Sequence, residues 1–303
     1  GTMYSKEEIQ IMNLDDNYTL LYPFLVKSLI EHFGEQGEKT AREGTRRFGR
    51  DRAETLRNKH LNAGVKINMH SLFAVGPDLP PDPRFKRELQ ELNPEERVSH
   101  TLYCPMAEIW KKYGFMEIGR MYCEEFHNAC YSSYAYGYTK VNLAKTLTQK
   151  EDEYCAFNVV LRPENLPEEL KPVCFEQYDP GYAGPSADIP QAYGKSGFST
   201  LFIKLYYHLA STAEEMLGDA GKAAIGEGLK ALAHDAARRI QEQAKEQNEP
   251  VNREFVDLNY PLALDPEQEP LWSFYTNEGI RELFVNTFYP VFHGELGILK
   301  ENA

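Results

Sequence analysis

The sequence predicts an α+β protein that is mostly helical, with helices packed on a small antiparallel sheet and two structurally related halves. Three observations lead to this fold class. Long segments show the helical spacing of apolar residues, two β-rich runs flank a short polar turn, and a segment of the first half recurs in the second.

Composition limits the class of protein. With 303 residues, of which 42% are hydrophobic, the chain can build a substantial core in one large domain or two. A net charge of −13 argues against nucleic acid or an anionic membrane as a partner. No apolar run approaches the roughly 18 residues that cross a bilayer. Five cysteines are an odd number in a long chain and do not indicate a disulfide framework. A reducing compartment fits them best, so we expect a cytoplasmic protein. Gly1 and Thr2 precede a Met and resemble a cloning remnant.

The N-terminal region has the pattern of two consecutive helices. Apolar residues from Asn17 to Phe33 have helical spacing, which predicts a first helix. The stretch from Gly34 to Gly37 interrupts it, and a second, arginine-rich helix is predicted from about Gln36 to Asn62.

Two β-rich runs, at Tyr138–Thr148 and Tyr154–Leu161, flank the polar residues 149–152 and predict a hairpin. In the second strand, alternation places Cys155, Phe157 and Val159 on one face.

A helical hairpin that carries two thiols is predicted between these regions. Pro105 suits the first position of a helix, which makes Cys104 the residue at its N-cap. Gly114 is a natural helix end, and a second helix would run from about residue 115 to 131. If the helices fold back on each other, Cys104 and Cys123 both lie roughly 15 Å from the turn.

The first half recurs in the second. Residues 33–56 align without gaps to residues 217–240, with identities at Gly34 and Gly218, Gly37 and Gly221, Glu43 and Glu227, Gly44 and Gly228, Asp51 and Asp235, and Ala53 and Ala237. We interpret this as an internal duplication. The predicted organisation is a catalytic half at 3–162, a linker at 163–197 and a degenerate helical repeat at 198–303. The chain would then be a homodimer or an internal pseudo-dimer.

The candidate chemistry centres on Cys123 and His127. They are one helical turn apart, a spacing that allows an imidazole to activate a thiol. Cys104 is a second candidate nucleophile, since a helix N-terminus stabilises a thiolate. Cys130 continues the same stripe, so a zinc site completed by Cys155 or Cys104 is an alternative use of these residues.

Other side chains have candidate supporting roles. Glu124 is a candidate general acid or base. Arg47 or Arg52 could hold a substrate carboxylate, because a guanidinium binds a carboxylate with two hydrogen bonds. Trp110 and Tyr122 are interpreted as core residues or as the wall of a pocket.

Several motifs in order resemble the L-2-amino-thiazoline-4-carboxylic acid hydrolase family over roughly residues 20–160. They are Arg46-Arg47-Phe48-Gly49-x-x-Arg52, Cys104-Pro105-x-Ala107-Glu108-x-Trp110-x-x-x-Gly114, Gly119-x-x-Tyr122-Cys123-Glu124 and Glu153-Tyr154-Cys155-x-Phe157. The resemblance implies hydrolytic opening of a cyclic amidine-like ring to a carbamoyl-cysteine. It also implies helices packed on a twisted antiparallel sheet, a layout similar to that of small-molecule-binding domains related to vinyl reductases.

The preferred interpretation is a hydrolase that acts on a C–N bond of a small carboxylate-bearing ring. The catalytic residues would be Cys123, His127, Cys104 and Glu124, and the substrate contacts Arg47, Arg52, Trp110, Tyr122 and Cys155. It assigns no cofactor and no metal, and the expected partner is a small-molecule substrate. The alternatives are a non-catalytic binding or sensor module, a zinc protein and an assembly scaffold.

Overall fold

The structure is a computed structural model that describes residues 3–76, 82–145, 155–175, 194–274 and 276–298. It has two compact units. The helical unit comprises Gly1–Gly44, Pro81–Pro83 and Tyr193–Ala303, and the sheet unit comprises Thr45–Pro80 and Arg84–Ala192. The predicted division at 162 and 197 stays a prediction, and much of the predicted linker lies outside the described residues.

The described residues are mostly helical with one small antiparallel sheet, so this part of the predicted fold class is confirmed. The helices are α1 (Lys6–Phe33), α2 (Glu35–Asn62), α3 (Met69–Ala74), α4 (Pro105–Tyr113), α5 (Met116–Tyr134), α6 (Lys171–Cys174), α7 (Lys195–Glu246), α8 (Arg253–Asn259) and α9 (Glu278–Leu296). The strands are β1 (Lys86–Leu92), β2 (Glu96–Tyr103), β3 (Lys140–Lys145) and β4 (Cys155–Val160). Within the described part of the chain, no helix carries an apolar stretch of the length that a bilayer requires.

Helix α1 begins well before the predicted Asn17. The Ser5 side chain accepts a hydrogen bond from the Glu8 N–H at 3.1 Å, and the Ser5 N–H donates to the Glu8 carboxylate at 2.9 Å. This reciprocal pair satisfies two backbone donors at a helix start and explains the earlier beginning. The interruption is also shorter than predicted, because only Gly34 leaves the helical conformation, with φ 56° and ψ −127°.

Helix α7 repeats the geometry of the α1–α2 junction. Gly218 interrupts it with φ 68° and ψ −152°, close to the values at Gly34. A second glycine follows each interruption by three residues, and backbone atoms of an earlier turn occupy the position where its Cβ would lie. A Cβ on Gly37 would lie 2.1 Å from the Leu29 oxygen, and one on Gly221 would lie 2.4 Å from the Ala213 oxygen. Each side-chain position is thus filled by the preceding helix.

The contacts between α1, α2 and α7 within the helical unit are reciprocal. A Cβ on Gly44 would lie 3.1 Å from the His208 backbone oxygen and 3.2 Å from the Leu209 Cα. A Cβ on Gly228 would lie 2.8 Å from the Phe24 backbone oxygen and 3.1 Å from the Leu25 Cα. Glycine at both positions lets helix backbones approach more closely than any side chain allows.

The core of the helical unit combines aromatic packing with a buried polar network. Asn13 Nδ2 donates to Asn259 Oδ1 at 2.8 Å, and Asn17 Nδ2 donates to the Asn259 backbone oxygen at 3.1 Å. Arg239, which is 6% exposed, donates to Asn17 Oδ1 at 3.2 Å and pairs with Asp235. Buried polar groups are tolerated when they are paired in this way. The rings around them are Phe202, Tyr206, Tyr260, Trp272, Phe284, Phe288 and Phe292.

The sheet of the sheet unit has the order β1-β2-β4-β3, and every neighbouring pair is antiparallel. The predicted hairpin of β3 and β4 is confirmed, while its turn at 149–152 lies outside the described residues. Cys155, Phe157 and Val159 are buried in alternation with half-buried neighbours, as predicted. Paired residues of antiparallel strands share a face, so the sheet register determines which side chains lie beside these three.

Candidate active site

The helical hairpin forms at the predicted place. Cys104 is the N-cap of α4, Pro105 stands in its first turn, and Gly114 ends it in the left-handed conformation with φ 74° and ψ 25°. In one straight helix Trp110 and Tyr122 would be separated by about 18 Å along the axis. Their ring centroids are 5.7 Å apart, so α4 and α5 pack against each other.

The five cysteines are all among the described residues, and none of them forms a disulfide. Cys104 and Cys123 are half-buried, whereas Cys130, Cys155 and Cys174 are buried. Burial raises the pKa of Cys174 to about 12, which leaves that thiol protonated and unreactive at neutral pH. The two accessible thiols are the two that the sequence suggests as nucleophiles. Their predicted proximity stays a prediction.

His127 lies among aromatic rings on the inner side of α5. Its imidazole Nδ1 lies 3.2 Å from the Tyr131 hydroxyl, and its ring meets Phe157 of β4 edge-on at 4.9 Å. Burial, which is the largest cause, and the positive charges of Arg97 and Arg87 together lower the pKa of His127 to about 3. The imidazole is therefore neutral at physiological pH.

Three arginines from different elements act through their charge on His127 or on its neighbour Tyr131. Arg97 of β2 places its guanidinium 4.1 Å from the ring centroid of Phe73, and Arg52 of α2 lies 5.6 Å from that of Phe126. Arg87 of β1 is exposed and lies over Phe85 at 3.9 Å. Burial lowers the pKa of Arg97, the Tyr131 charge opposes this, and Arg87 lowers it further. An arginine nevertheless keeps its charge in a protein, so the cluster is strongly cationic.

The sheet register places a hydroxyl group beside Arg97. Arg97 pairs with Val159 and Ser99 with Phe157, so both belong to the face that His127 contacts through Phe157. Ser99 is 1% exposed, and its Oγ has no hydrogen-bond partner among the described residues. Thr101 continues the same face and pairs with Cys155. The predicted substrate contact Cys155 therefore lies on this same face, beside Thr101.

The remaining predicted residues are found in different surroundings. Glu124 is exposed on α5 and pairs with Arg120 at 3.6 Å, and its predicted acid–base role stays a prediction. Trp110 and Tyr122 are 1% and 6% exposed and pack in the interior of the hairpin. Arg47 is half-buried on α2. Of the two arginines predicted to bind a carboxylate, Arg52 lowers the pKa of Tyr131 through its charge.

The alternative of a zinc site depends on clustered ligands. Across the described ranges no group of three His, Cys, Asp or Glu side chains is arranged to hold a metal ion. Cys123, His127 and Cys130 occur in one helix, but helical spacing alone does not bring four ligands together.

Sequence reasoning missed Arg87, Arg97 and Ser99. The charge and proline of residues 75–97 indicate a loop or a strand-bearing connector, but they do not locate strands β1 and β2. A signal was nevertheless available, because Arg97, Ser99 and Thr101 alternate along a strand that ends just before Cys104.

The chain also matches a family model over the region that contains this geometry. Residues 17–159 match the model of L-2-amino-thiazoline-4-carboxylic acid hydrolase, a little under half of the 303 residues. No curated protein and no solved structure matches the chain. The matched segment includes the helical hairpin, His127, the guanidinium cluster and all but the last residue of the sheet. A hydrolase that opens a thiazoline ring, the enzyme class expected from the sequence, is the class that this model describes. Residues 17–159 are therefore similar to the L-2-amino-thiazoline-4-carboxylic acid hydrolase family.

Proposed function

We propose that the protein hydrolyses a small ring that carries a carboxylate, of the 2-amino-thiazoline type, through a cysteine nucleophile. The observation that carries this proposal is the family match over residues 17–159, which spans the hairpin with both accessible thiols and the neutral imidazole. A cationic cluster beside that imidazole is consistent with a substrate that is an anion.

Cys123 is the proposed nucleophile and His127 the proposed base. A free thiol with a pKa near 8.5 is only a few per cent ionised at neutral pH, so a neighbouring base accelerates its attack. His127 follows Cys123 by one turn of α5 and is neutral, so it has a site for the thiol proton, and a bound anion that raises its low pKa would make it a stronger base. In the first step the Cys123 sulfur bonds to the ring carbon between nitrogen and sulfur. The thiol proton passes through His127 to the ring nitrogen. The bond from that carbon to the ring nitrogen then breaks, as the exocyclic amino group gives the ring nitrogen its second proton and becomes an imine.

Water completes the reaction. It adds to the same carbon while His127 transfers one of its protons to the imine nitrogen. The bond from that carbon to Cys123 then breaks as the second proton returns to the sulfur, so the thiol is restored and the product is a carbamoyl-cysteine. One molecule of water is consumed and nothing is oxidised or reduced. Cys104, as the N-cap of α4, is the alternative nucleophile, because the N–H groups of a helix start stabilise a thiolate.

Substitution of the thiols tests this proposal. We expect Cys123→Ser to abolish formation of carbamoyl-cysteine from 2-amino-thiazoline-4-carboxylate, measured by mass spectrometry, while the circular dichroism spectrum is unchanged. Cys174→Ala is the matched control, since that thiol is fully buried and has a pKa of about 12. Full activity of Cys123→Ser with loss in Cys104→Ser would transfer the role to Cys104. Full activity of both variants would exclude a cysteine nucleophile.

A non-catalytic binding module is the second candidate. One observation favours it, namely that the hydrogen bond of His127 is made to Tyr131. A binding module would hold 2-amino-thiazoline-4-carboxylate without converting it. Equilibrium binding followed by product analysis after a long incubation separates the two functions.

We also propose that α1–α2 and the two parts of α7 are duplicated segments that pair as an internal pseudo-dimer. The reciprocal packing at Gly44 and Gly228 supports this, because each glycine contacts the residue pair equivalent to the one that its counterpart contacts. This is the pattern of a two-fold symmetric interface. We expect a monomer of 34.8 kDa by sedimentation, since the pairing surface is occupied within the chain. Cross-links that join α1 of one chain to α7 of another would contradict the proposal.

A further inference from the structure

We propose that Arg97 and Arg87 bind the carboxylate of the substrate, with the Ser99 hydroxyl as a neutral donor, and so decide which rings the enzyme accepts. This inference rests on the proposed function and assigns its specificity to residues of β1 and β2.

Arg97 has the surroundings of an anion-binding residue. Its guanidinium carbon lies 4.1 Å from the ring centroid of Phe73 of α3, a contact that restricts the side chain without using its hydrogen-bond donors. In the described part of the chain neither Arg97 nor Arg87 forms an ion pair with a carboxylate. Besides burial, which is the largest cause, the groups that shift the pKa of Arg97 are the titratable Tyr131 hydroxyl and Arg87. Two cations that approach each other without an acidic neighbour favour a bound anion.

Ser99 supplies an independent observation. Its hydroxyl is buried and unpaired among the described residues, and an unsatisfied buried polar group costs roughly 1–3 kcal/mol. It stands two residues from Arg97 on the same sheet face, opposite the Phe157 ring that contacts His127. A ligand oxygen held by Arg97 would give this hydroxyl an acceptor.

The location of the carboxylate has a consequence for the base. Arg97 and Arg87 both lower the pKa of His127, so each disfavours the protonated imidazole that the reaction requires. A bound carboxylate offsets their charge and makes His127 a stronger base. A ring without a carboxylate would leave the arginines uncompensated and the imidazole weakly basic. The site would thus discriminate against neutral rings in the chemical step as well as in binding.

Two probes that differ only in the carboxylate test the inference, namely 2-amino-thiazoline-4-carboxylate and 2-amino-thiazoline. Binding is measured by calorimetry on the Cys123→Ser chain, which does not convert the ligand under the proposed function. We expect Arg97→Met to weaken binding of the acid roughly ten- to a hundredfold, the range for a charge-assisted hydrogen bond, and to change binding of the neutral ring little. Arg162→Met is the matched control, because Arg162 pairs with Glu95 and Glu96 outside the cluster.

The pKa of His127, followed by nuclear magnetic resonance, is the second readout. We expect the acid, but not the neutral ring, to raise it in the wild-type chain. Arg97→Lys should restore part of the affinity that Arg97→Met loses, which separates charge from folding. Equal loss of both ligands in a folded Arg97→Met variant would overturn the inference, as would an unchanged affinity for the acid.

The two proposals fail in different ways. If the acid binds through Arg97 but is never hydrolysed by the wild-type chain, the carboxylate subsite stands and the hydrolase function fails. If hydrolysis depends on Cys123 but Arg97→Met keeps its preference for the acid, the function stands and the subsite fails. A wild-type chain that binds neither ring overturns both.

Discussion

The packing of Gly119 against Trp110 makes a strong prediction, because it joins the two helices of the thiol-bearing hairpin. A Cβ on Gly119 would lie 2.3 Å from Cε3, 2.6 Å from Cδ2 and 3.0 Å from Cζ3 of Trp110. Carbon atoms pack at about 3.5–4.0 Å, so Gly119→Ala requires a displacement of more than about 1 Å. Trp110 is 1% exposed and has no room to move. Overpacking costs about 1–3 kcal/mol, and the helix propensity of alanine returns up to about 1 kcal/mol.

We therefore expect Gly119→Ala to lower the unfolding free energy by about 1–2 kcal/mol, measured by calorimetry. Gly294→Ala in α9 is the matched control, since a Cβ there meets nothing within 4 Å and alanine should stabilise the helix slightly. In a Trp110→Phe background Gly119→Ala should cost less, because the smaller ring leaves space. A Gly119→Ala variant as stable as the wild type, or equally destabilised in both backgrounds, would refute the packing argument.

Three further predictions follow from the site and the helix contacts. Arg97→Met should raise the pKa of His127 above its value of about 3 without any ligand, observed by nuclear magnetic resonance, and an unchanged pKa would mean that the two charges do not interact. Between pH 6.5 and about 3 the unfolded chain protonates His127 and the folded chain does not, so stability is lost as the pH falls. Denaturant titrations of His127→Gln should show a slope smaller by at most about 1.4 kcal/mol per pH unit, and an identical slope would contradict the assignment. Gly228→Ala should lower the melting temperature, because a Cβ there would lie 2.8 Å from the Phe24 backbone oxygen. Gly226→Ala should not lower it, because a Cβ there would lie 3.6 Å from a Leu283 methyl group. Similar melting temperatures of the two variants would refute the close helix approach.

Local signals predicted most of the elements. Pro105 and Gly114 act through the backbone conformation of single residues, so the boundaries of α4 could be derived from sequence. The alternation around Cys155 likewise predicted the buried face of β4. The start of α1 was predicted too late because its capping box at Ser5 precedes the first strongly apolar turn.

The candidate site could be predicted only in part. Cys123 and His127 are one turn apart on the same helix, and that separation is a property of sequence alone. Arg97 is distant from His127 in sequence and reaches it only through the pairing of β2 with β4. The predicted carboxylate ligands came from the arginine-rich helix α2 because charge density is visible in a sequence and strand pairing is not.

The order of the helices, the hairpin at Gly114 and the spacing of a thiol from an imidazole were determined by the sequence itself, because each depends on neighbouring residues. Tertiary structure decided the electrostatic character of the site. It buried His127 against Phe157, placed Arg97 and Arg87 where their charges lower its pKa, and left the Ser99 hydroxyl unpaired on the same face among the described residues. Burial and the distance between charges are properties of the folded chain, and they shift the proton affinity that the residue type sets.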